Sequence, residues 1–306
     1  MENTVENVYI CHTVYHLLVT LCKLDLSQKN KLILFDKILQ RDELTQKIQQ
    51  IGFEVHGYSE SDLCFCDFKN SKAIKLFLFN DWTNVGAFFR KNKIEYHLIE
   101  DGYNYFSMNV YKKKTKFLIR AYYKLFKKDE RPLGYSRFCK SIEVNSLAVI
   151  PRDSRWKKFV SVSRTELFEK IPSKNRQLIF TLFHVEKFHI KSQSVLVLTQ
   201  PLAADRWYKT VTENFQTLNE QFDYYQKIIE KYRTLGYTVY LKVHPRDKVD
   251  YSSLDVILLP QNIPMELLDM VCDQKFSIGI THSSTALDFL NCVEERITLF
   301  DLKGMK

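Results

Sequence analysis

Short apolar runs alternate with stretches of helical spacing along most of the chain, and several of the runs stop on polar residues. Val8–Cys11 reads as a strand that ends at His12-Thr13. Val14, Leu17, Leu18, Leu21 and Cys22 then recur at helical intervals, with Thr13 placed as the N-cap. Lys31–Phe35 reads as a second strand, and Arg41–Ile51 as a helix stopped by Gly52. The same alternation predicts a strand at Lys75–Phe79, a helix at Asn84–Lys91 and a strand at Tyr96–Ile99 that breaks off in Glu100-Asp101-Gly102. From about Pro132 to Gln193 the pattern is weak, with one helical stretch, Arg164–Lys170, ended by Ile171-Pro172.

The alternation resumes with the strand Ser194–Leu198, broken by Gln200-Pro201, and a long helix Asn219–Leu235 closed by Gly236, the usual residue beyond a helix C-terminus. Strands are predicted at Tyr237–Val243, Leu254–Leu259, Phe276–Ile280 and Ile297–Phe300, with helices at Met265–Val271 and Thr285–Leu290. Strand and helix alternating on both sides of a weakly patterned middle argue for two doubly wound parallel sheets facing a cleft. A length of 306 residues fits two such domains. The expected division is 1–180 and 181–306, the change falling within Pro172–Ser192.

Composition narrows the class. No run approaches the roughly 20 apolar residues needed to span a bilayer, and the polar opening Met1–Glu6 is no secretion signal. The seven cysteines are odd in number and lie mostly in apolar segments, so they read as reduced thiols of a cytoplasmic protein. Cys64-Phe65-Cys66 lacks a second ligand pair for zinc. The net charge of +9 is concentrated at Lys112–Lys128, where lysines surround Phe117, Ile119, Tyr122, Leu125 and Phe126. That segment suits an interfacial helix on an anionic membrane surface, at the inner face of the plasma membrane, and equally a core helix with a solvated lysine face. No nucleic-acid-binding signature accompanies it, so no nucleic-acid partner is expected.

Four strand ends carry the candidate chemistry. Lys242-Val243-His244-Pro245-Arg246 delivers an imidazole between two cations. There His244 can hydrogen-bond or protonate a leaving phosphate, or can simply cap a strand that Pro245 terminates. His282-Ser283-Ser284-Thr285 places hydroxyls and backbone N–H groups at a helix start, an anion site or an ordinary serine cap. Glu100-Asp101-Gly102 offers two carboxylates and a turn glycine, fit for a base or a hydroxyl-rich substrate, or a plain solvated turn. In Thr199-Gln200-Pro201-Leu202-Ala203-Ala204-Asp205, Asp205 is a second candidate base that Arg206 could neutralise. Glycine-rich dinucleotide and P-loop motifs, the Asp-x-Asp metal clamp and the Gly-x-Ser-x-Gly elbow are absent. A histidine–serine anion site without a metal ligand pair suits a nucleoside monophosphate leaving group, with no cofactor and no metal.

These residues resemble the ordered motifs of bacterial sialyltransferases: an acidic-acidic-Gly triplet (Glu100-Asp101-Gly102), His-Pro (His244-Pro245) and Ser-Ser (Ser283-Ser284). Leu198–Leu202 and the opening Tyr9–Thr13 resemble glycosyltransferase family 52 in particular, the family of lipooligosaccharide and capsule sialyltransferases. Asn262-Ile263-Pro264-Met265-Glu266 is similar to the segment whose glutamate holds the nucleotide ribose. The resemblance implies an α/β fold of GT-B type and inverting, metal-independent transfer of sialic acid from CMP-N-acetylneuraminic acid to a galactoside of a surface glycan. It implies His244 as acid or phosphate partner, Ser283 and Ser284 as phosphate ligands and Glu266 as ribose ligand, with Asp205 favoured over Asp101 as base. Another nucleotide-sugar hexosyltransferase of the same family is the nearest alternative, and a basic membrane- or nucleic-acid-binding module the alternative from another class. The partners expected are a nucleotide-sugar donor and a glycan acceptor, and a homodimer is compatible with the pattern.

Overall fold

The structure is a computed structural model that describes residues 6–38, 40–59, 74–101, 106, 125, 131–148, 150–205, 208, 215–261, 263–284 and 286–300. The chain divides into two compact units, Met1–Leu182 and Phe183–Lys306. Apart from Leu125, the basic segment Lys112–Lys128 lies outside the described residues, as do Cys64, Cys66, Gly102, Asn262 and Thr285.

In the first unit, β1 (Glu6–Cys11), β2 (Asn30–Phe35), β3 (Glu54–Tyr58), β4 (Ile74–Leu78), β5 (Tyr96–Ile99), β6 (Cys139–Val144) and β7 (Phe159–Ser161) form one sheet in the order β3-β2-β1-β4-β5-β6-β7. Every pairing is parallel. Helices α1 (Val14–Lys23), α2 (Arg41–Gln50) and α3 (Asn84–Lys91) carry the early crossovers, and α4 (Arg164–Glu169) and α5 (Ser173–Phe183) follow the sheet. Thr13 caps α1 by accepting the His16 N–H at 3.2 Å, and Thr83 caps α3 by accepting the Gly86 N–H at 3.3 Å. Val8, Ile10, Ile33, Phe35, Leu78, Phe89, Leu98 and Ile142 fill the core. The strands β3, β6 and β7 went unread in the sequence because they are short or carry charged positions, as in Cys139-Lys140-Ser141-Ile142-Glu143-Val144.

The second unit repeats the architecture. β8 (Ser194–Leu198), β9 (Thr238–Lys242), β10 (Ile257–Leu259), β11 (Phe276–Thr281) and β12 (Val293–Thr298) lie in the order β10-β9-β8-β11-β12, again all parallel. The long helix α6 (Leu218–Thr234) opens with a full capping box between Thr217 and Glu220, and Gly236 takes the left-handed φ of 86° just past its end. Its Tyr225 and Ile229 pack on Val195, Val197 and Leu241. Three expectations are corrected here. The stretch expected as a helix at Thr285–Leu290 is a single 3-10 turn, Ala286–Phe289, and Met265–Val271 is a 3-10 turn leading into a one-turn α7 (Leu268–Val271). The last strand begins earlier than its apolar residues suggested, because Glu294, Glu295 and Arg296 occupy a sheet edge that tolerates charge.

In each sheet the chain runs outward from a central strand on one side and then resumes on the other. The reversals lie between β1 and β4 and between β8 and β11. Those are the points where open α/β sheets bind ligands, beyond the carboxyl ends of the strands. At the first of them α3 sits against the turn after β4, so that a methyl group on Gly86 would overlap the Asp81 backbone. Asp81 is itself buried, accepting the N–H groups of Leu133 and Gly134 and the Tyr96 hydroxyl. Gly86→Ala is therefore expected to destabilise the protein by about 3 kcal/mol, read from urea unfolding. An unchanged midpoint would show that α3 does not rest on this turn.

Candidate active site

The second unit builds its site around His244. The His244 N–H donates to Thr199 Oγ1 at 3.0 Å, and the Thr199 N–H donates to the Lys242 carbonyl at 3.1 Å, which ties the ends of β8 and β9 together. A turn then reverses the chain, closed by the Asp247 N–H on the His244 carbonyl at 2.8 Å, with Pro245 at the position where its fixed φ suits the bend. Within that turn the Arg246 N–H donates to His244 Nδ1 at 3.0 Å. A nitrogen that accepts a hydrogen bond carries no proton, so the neutral ring is the Nε2–H tautomer. Burial, then the charges of Arg246 and Lys242, lower the imidazole to about 4. At neutral pH His244 is an uncharged donor whose Nε2–H has no partner among the described residues.

Its neighbours divide into buried bracing groups and exposed ones. Lys242, expected to add charge to an anion site, is only 4% exposed and directs its ammonium to the carbonyls of Pro260 (2.8 Å) and Gln261 (3.1 Å). Burial lowers it to about 8. The Gln261 amide donates in turn to the His244 carbonyl at 3.1 Å, so Lys242 braces the His244 turn. Arg246 is exposed and pairs with Asp205 at 3.0 Å. Arg246 is thus a cation that engages Asp205; Arg206, expected to do so, lies outside the described residues. Pro264 is buried and leads into the turn that carries half-buried Glu266, whose carboxyl burial pushes upward, against the pull of Lys242.

At the end of β11 the Ser283 hydroxyl bonds His282 Nδ1 (3.1 Å) and reaches the Tyr208 hydroxyl (3.5 Å), which donates to Gln200 Oε1 at 2.6 Å. Tyr208 thereby links the polar ends of β8 and β11. Ser284 offers its hydroxyl to the Ala286 N–H at 3.2 Å and its own N–H to Thr281 Oγ1 at 3.2 Å. The expected helix start is corrected accordingly: it is a single 3-10 turn with almost no aligned dipole, capped by the Ser284 hydroxyl, so an anion held here would be held by hydroxyl and N–H groups rather than by a helix dipole. Behind the loops, Gln221 of α6 is fully buried. Its Oε1 accepts the Ala203 N–H at 2.7 Å and its amide donates to Asp247 at 2.8 Å and Tyr251 at 3.1 Å.

The first unit holds a second cluster around Asp101. Asp101 Oδ1 accepts from His16 Nε2 at 2.7 Å, and Oδ2 accepts from the Asn80 amide at 3.0 Å. The His16 ring lies flat on Phe79, with centroids 4.1 Å apart, and its Nδ1 accepts the His12 N–H at 3.1 Å. Burial raises the Asp101 carboxyl, but its interactions with His16, then with the Asn80 amide and His12, outweigh it and hold the group below the ordinary carboxylate range. Glu100 points the other way, as successive residues at a strand end do. It is buried, accepts the Asn145 N–H, and has its carbonyl within 3.4 Å of Arg164 Nη2, which gives it a bracing role rather than the expected ligand contact.

Sequence reasoning missed His16, Asn80, Tyr208 and Gln221. His16 carried a signal, a polar side chain within an otherwise apolar helical face, whereas Gln221 and Tyr208 had none. Among the described residues no group of three or more His, Cys, Asp or Glu could hold a metal ion.

Comparison with known proteins places this geometry in a class. The model of glycosyltransferase family 52 matches residues 41–304, and the chain belongs to that family. Among solved structures it is similar to a variant of the wall teichoic acid polymerase TagF, with a TM-score of 0.52 and 12% identity over 97% of this chain and 70% of that one. The shared architecture is the GT-B fold of two doubly wound α/β domains. No curated protein matches the sequence. No helix of the described residues is long and apolar enough to cross a membrane.

His282 supplies a test of this electrostatic picture. Buried among Tyr208, Phe215, Tyr224 and Phe300, it is lowered by burial to about 4. Between its unfolded value near 6.5 and that folded value, only the unfolded chain takes up the proton. Its contribution to stability is therefore retained above about 6.5 and lost as the pH falls toward 4. We expect the second unit to lose roughly 2 kcal/mol from this group between about pH 7 and pH 5, and His282→Gln to flatten that part of the pH–stability curve. An unchanged slope would contradict a neutral, buried His282.

Proposed function

We propose that this family 52 glycosyltransferase transfers sialic acid from CMP-N-acetylneuraminic acid to a galactoside of a surface glycan. The observation that carries the reading is the fixed tautomer of His244 at the end of β9. A neutral imidazole presenting Nε2–H matches a leaving phosphate monoester: it donates a hydrogen bond that strengthens as negative charge develops on the leaving oxygen, and it keeps its own proton. Ser283, Ser284 and Thr285 would contact the same phosphate, Thr199 and Gln200 would support it, and Glu266 would hold the ribose hydroxyls. No metal is needed in this scheme, because hydrogen bonds and Arg246 neutralise the departing charge.

On the acceptor side we take Asp101 as the base, against the sequence preference for Asp205. One Asp205 oxygen is committed to the Arg246 guanidinium, whereas Asp101 is ionised, oriented through both oxygens and still 29% exposed at its side chain. The acceptor hydroxyl attacks the anomeric carbon in line as the bond to CMP breaks, which inverts the centre. Its proton passes to Asp101. The work of the protein is positioning and charge neutralisation around an oxocarbenium-like transition state. A peripheral membrane contact through Lys112–Lys128, cytoplasmic location and a homodimer belong to the same proposal.

Ligand-dependent melting tests the donor: CMP should raise the melting temperature and UDP should not, while the reverse would favour a hexosyltransferase using a uridine nucleotide. With CMP-N-acetylneuraminic acid and lactose, His244→Ala should lose at least about a hundredfold in kcat, and near-normal turnover would sink its assignment. Asp101→Asn should cost kcat while sparing CMP affinity. If Asp205→Asn does so instead, the base lies in the second unit.

A further inference from the structure

We propose that His16 is a positioning residue for the acceptor-side carboxylate, holding Asp101 ionised and aimed at the attacking hydroxyl of a hexose acceptor. The inference rests on Asp101 serving as base.

His16 has no exposed surface and is clamped on every side that matters. Its ring is stacked within 4° of parallel on Phe79, its Nδ1 takes the His12 backbone N–H, and its Nε2–H is aimed at Asp101 Oδ1 at 2.7 Å. The backbone bond at Nδ1 leaves no second tautomer that could serve Asp101, so the donor faces the carboxylate permanently. Thr13 contributes as well. By accepting the His16 N–H it starts α1 at the position that puts His16 one turn in, beneath the end of β5.

Asn80, from the end of β4, supplies the other donor. Each carboxylate oxygen then has one fixed donor and keeps a lone pair for a substrate hydroxyl. The titratable groups facing Asp101 among the described residues are His16 from α1 and His12 from the end of β1, while Asn80 is neutral and Glu100 turns to Asn145. Burial raises the Asp101 carboxyl, and these partners more than offset it. In the reaction Asp101 accepts the hydroxyl proton as the oxygen–carbon bond forms. His16 keeps its own proton throughout, so its part is orientation and charge stabilisation.

The test uses the full chain and two readouts. In carboxyl 13C NMR with labelled aspartate, the signal lost in Asp101→Asn identifies Asp101. It should titrate below the usual aspartate range in the parent protein and at least about one unit higher in His16→Leu. His16→Gln, which retains an N–H donor, should fall between. With CMP-N-acetylneuraminic acid and lactose, His16→Leu should lower kcat by about tenfold or more, leave the donor KM within about twofold, and move the acid limb of the kcat–pH profile up by the same interval. His16→Gln should recover part of both. An unshifted Asp101 titration and an unmoved acid limb in both variants would overturn the role of His16 while leaving Asp101 as base. Full activity of Asp101→Asn would instead overturn the assignment on which the role rests, and turnover only with a uridine nucleotide sugar would overturn the donor reading alone.

Discussion

Parallel pairing is the constraint from which the rest of this molecule follows. When every strand of a sheet runs the same way, every strand ends at the same edge, and each connection must return across a face of the sheet. The apolar runs then have to be buried on both faces, which is why Val8–Cys11, Leu32–Phe35 and Ser194–Leu198 are continuous rather than alternating. The polar residues that stop those runs have nowhere to go but that common edge. Thr199, His244 and Ser283 come from segments separated by tens of residues, yet one hydrogen bond joins the first two and Tyr208 connects Gln200 to the third.

Both units solve the same problem with imidazole in the same way. A histidine alone has two neutral tautomers and can rotate, so it offers a donor in no fixed direction. His16 and His244 each give Nδ1 to a backbone N–H, that of His12 in one case and of Arg246 in the other, and each is left with a donor at Nε2. What differs is the partner. In the first unit the donor meets a carboxylate that it keeps ionised. In the second it is kept available by a turn that Pro245 bends and Thr199 anchors.

The sequence readily showed the central strands, the caps at Thr13 and Gly236, and the polar strand ends, since these depend on local pattern and backbone stereochemistry. It did not show β3, β6 or β7, which are short and partly charged and are specified by their neighbours in the sheet. In the candidate site it showed which residue types gather but not how they divide. Glu100 and Asp101 are adjacent in sequence and point apart, and Lys242, two residues before His244, turns its charge onto two carbonyls. Gln221 was invisible for a further reason. A glutamine inside an amphipathic helix looks like a surface residue until the loops it satisfies are folded over it.

Burial acts on the donor-side groups in a consistent direction, and this bears on what they can bind. It lowers His244 and Lys242 and raises Glu266, so each is pushed toward its neutral form. A site crowded with full charges would hold them by pairing them with one another, as Arg246 and Asp205 do at the exposed rim. His244, neutral at pH 7, retains its hydrogen-bonding capacity without that mutual cancellation. An entering phosphate would then change the balance itself, since an anion within a few ångströms opposes the desolvation that keeps the imidazole unprotonated. The same burial that keeps the His244 ring uncharged in the protein alone makes its hydrogen bond to an anion stronger than it would be in water. A neutral donor held in this way would favour the state in which negative charge develops on a leaving oxygen over the state before it, because its strongest interaction comes only then.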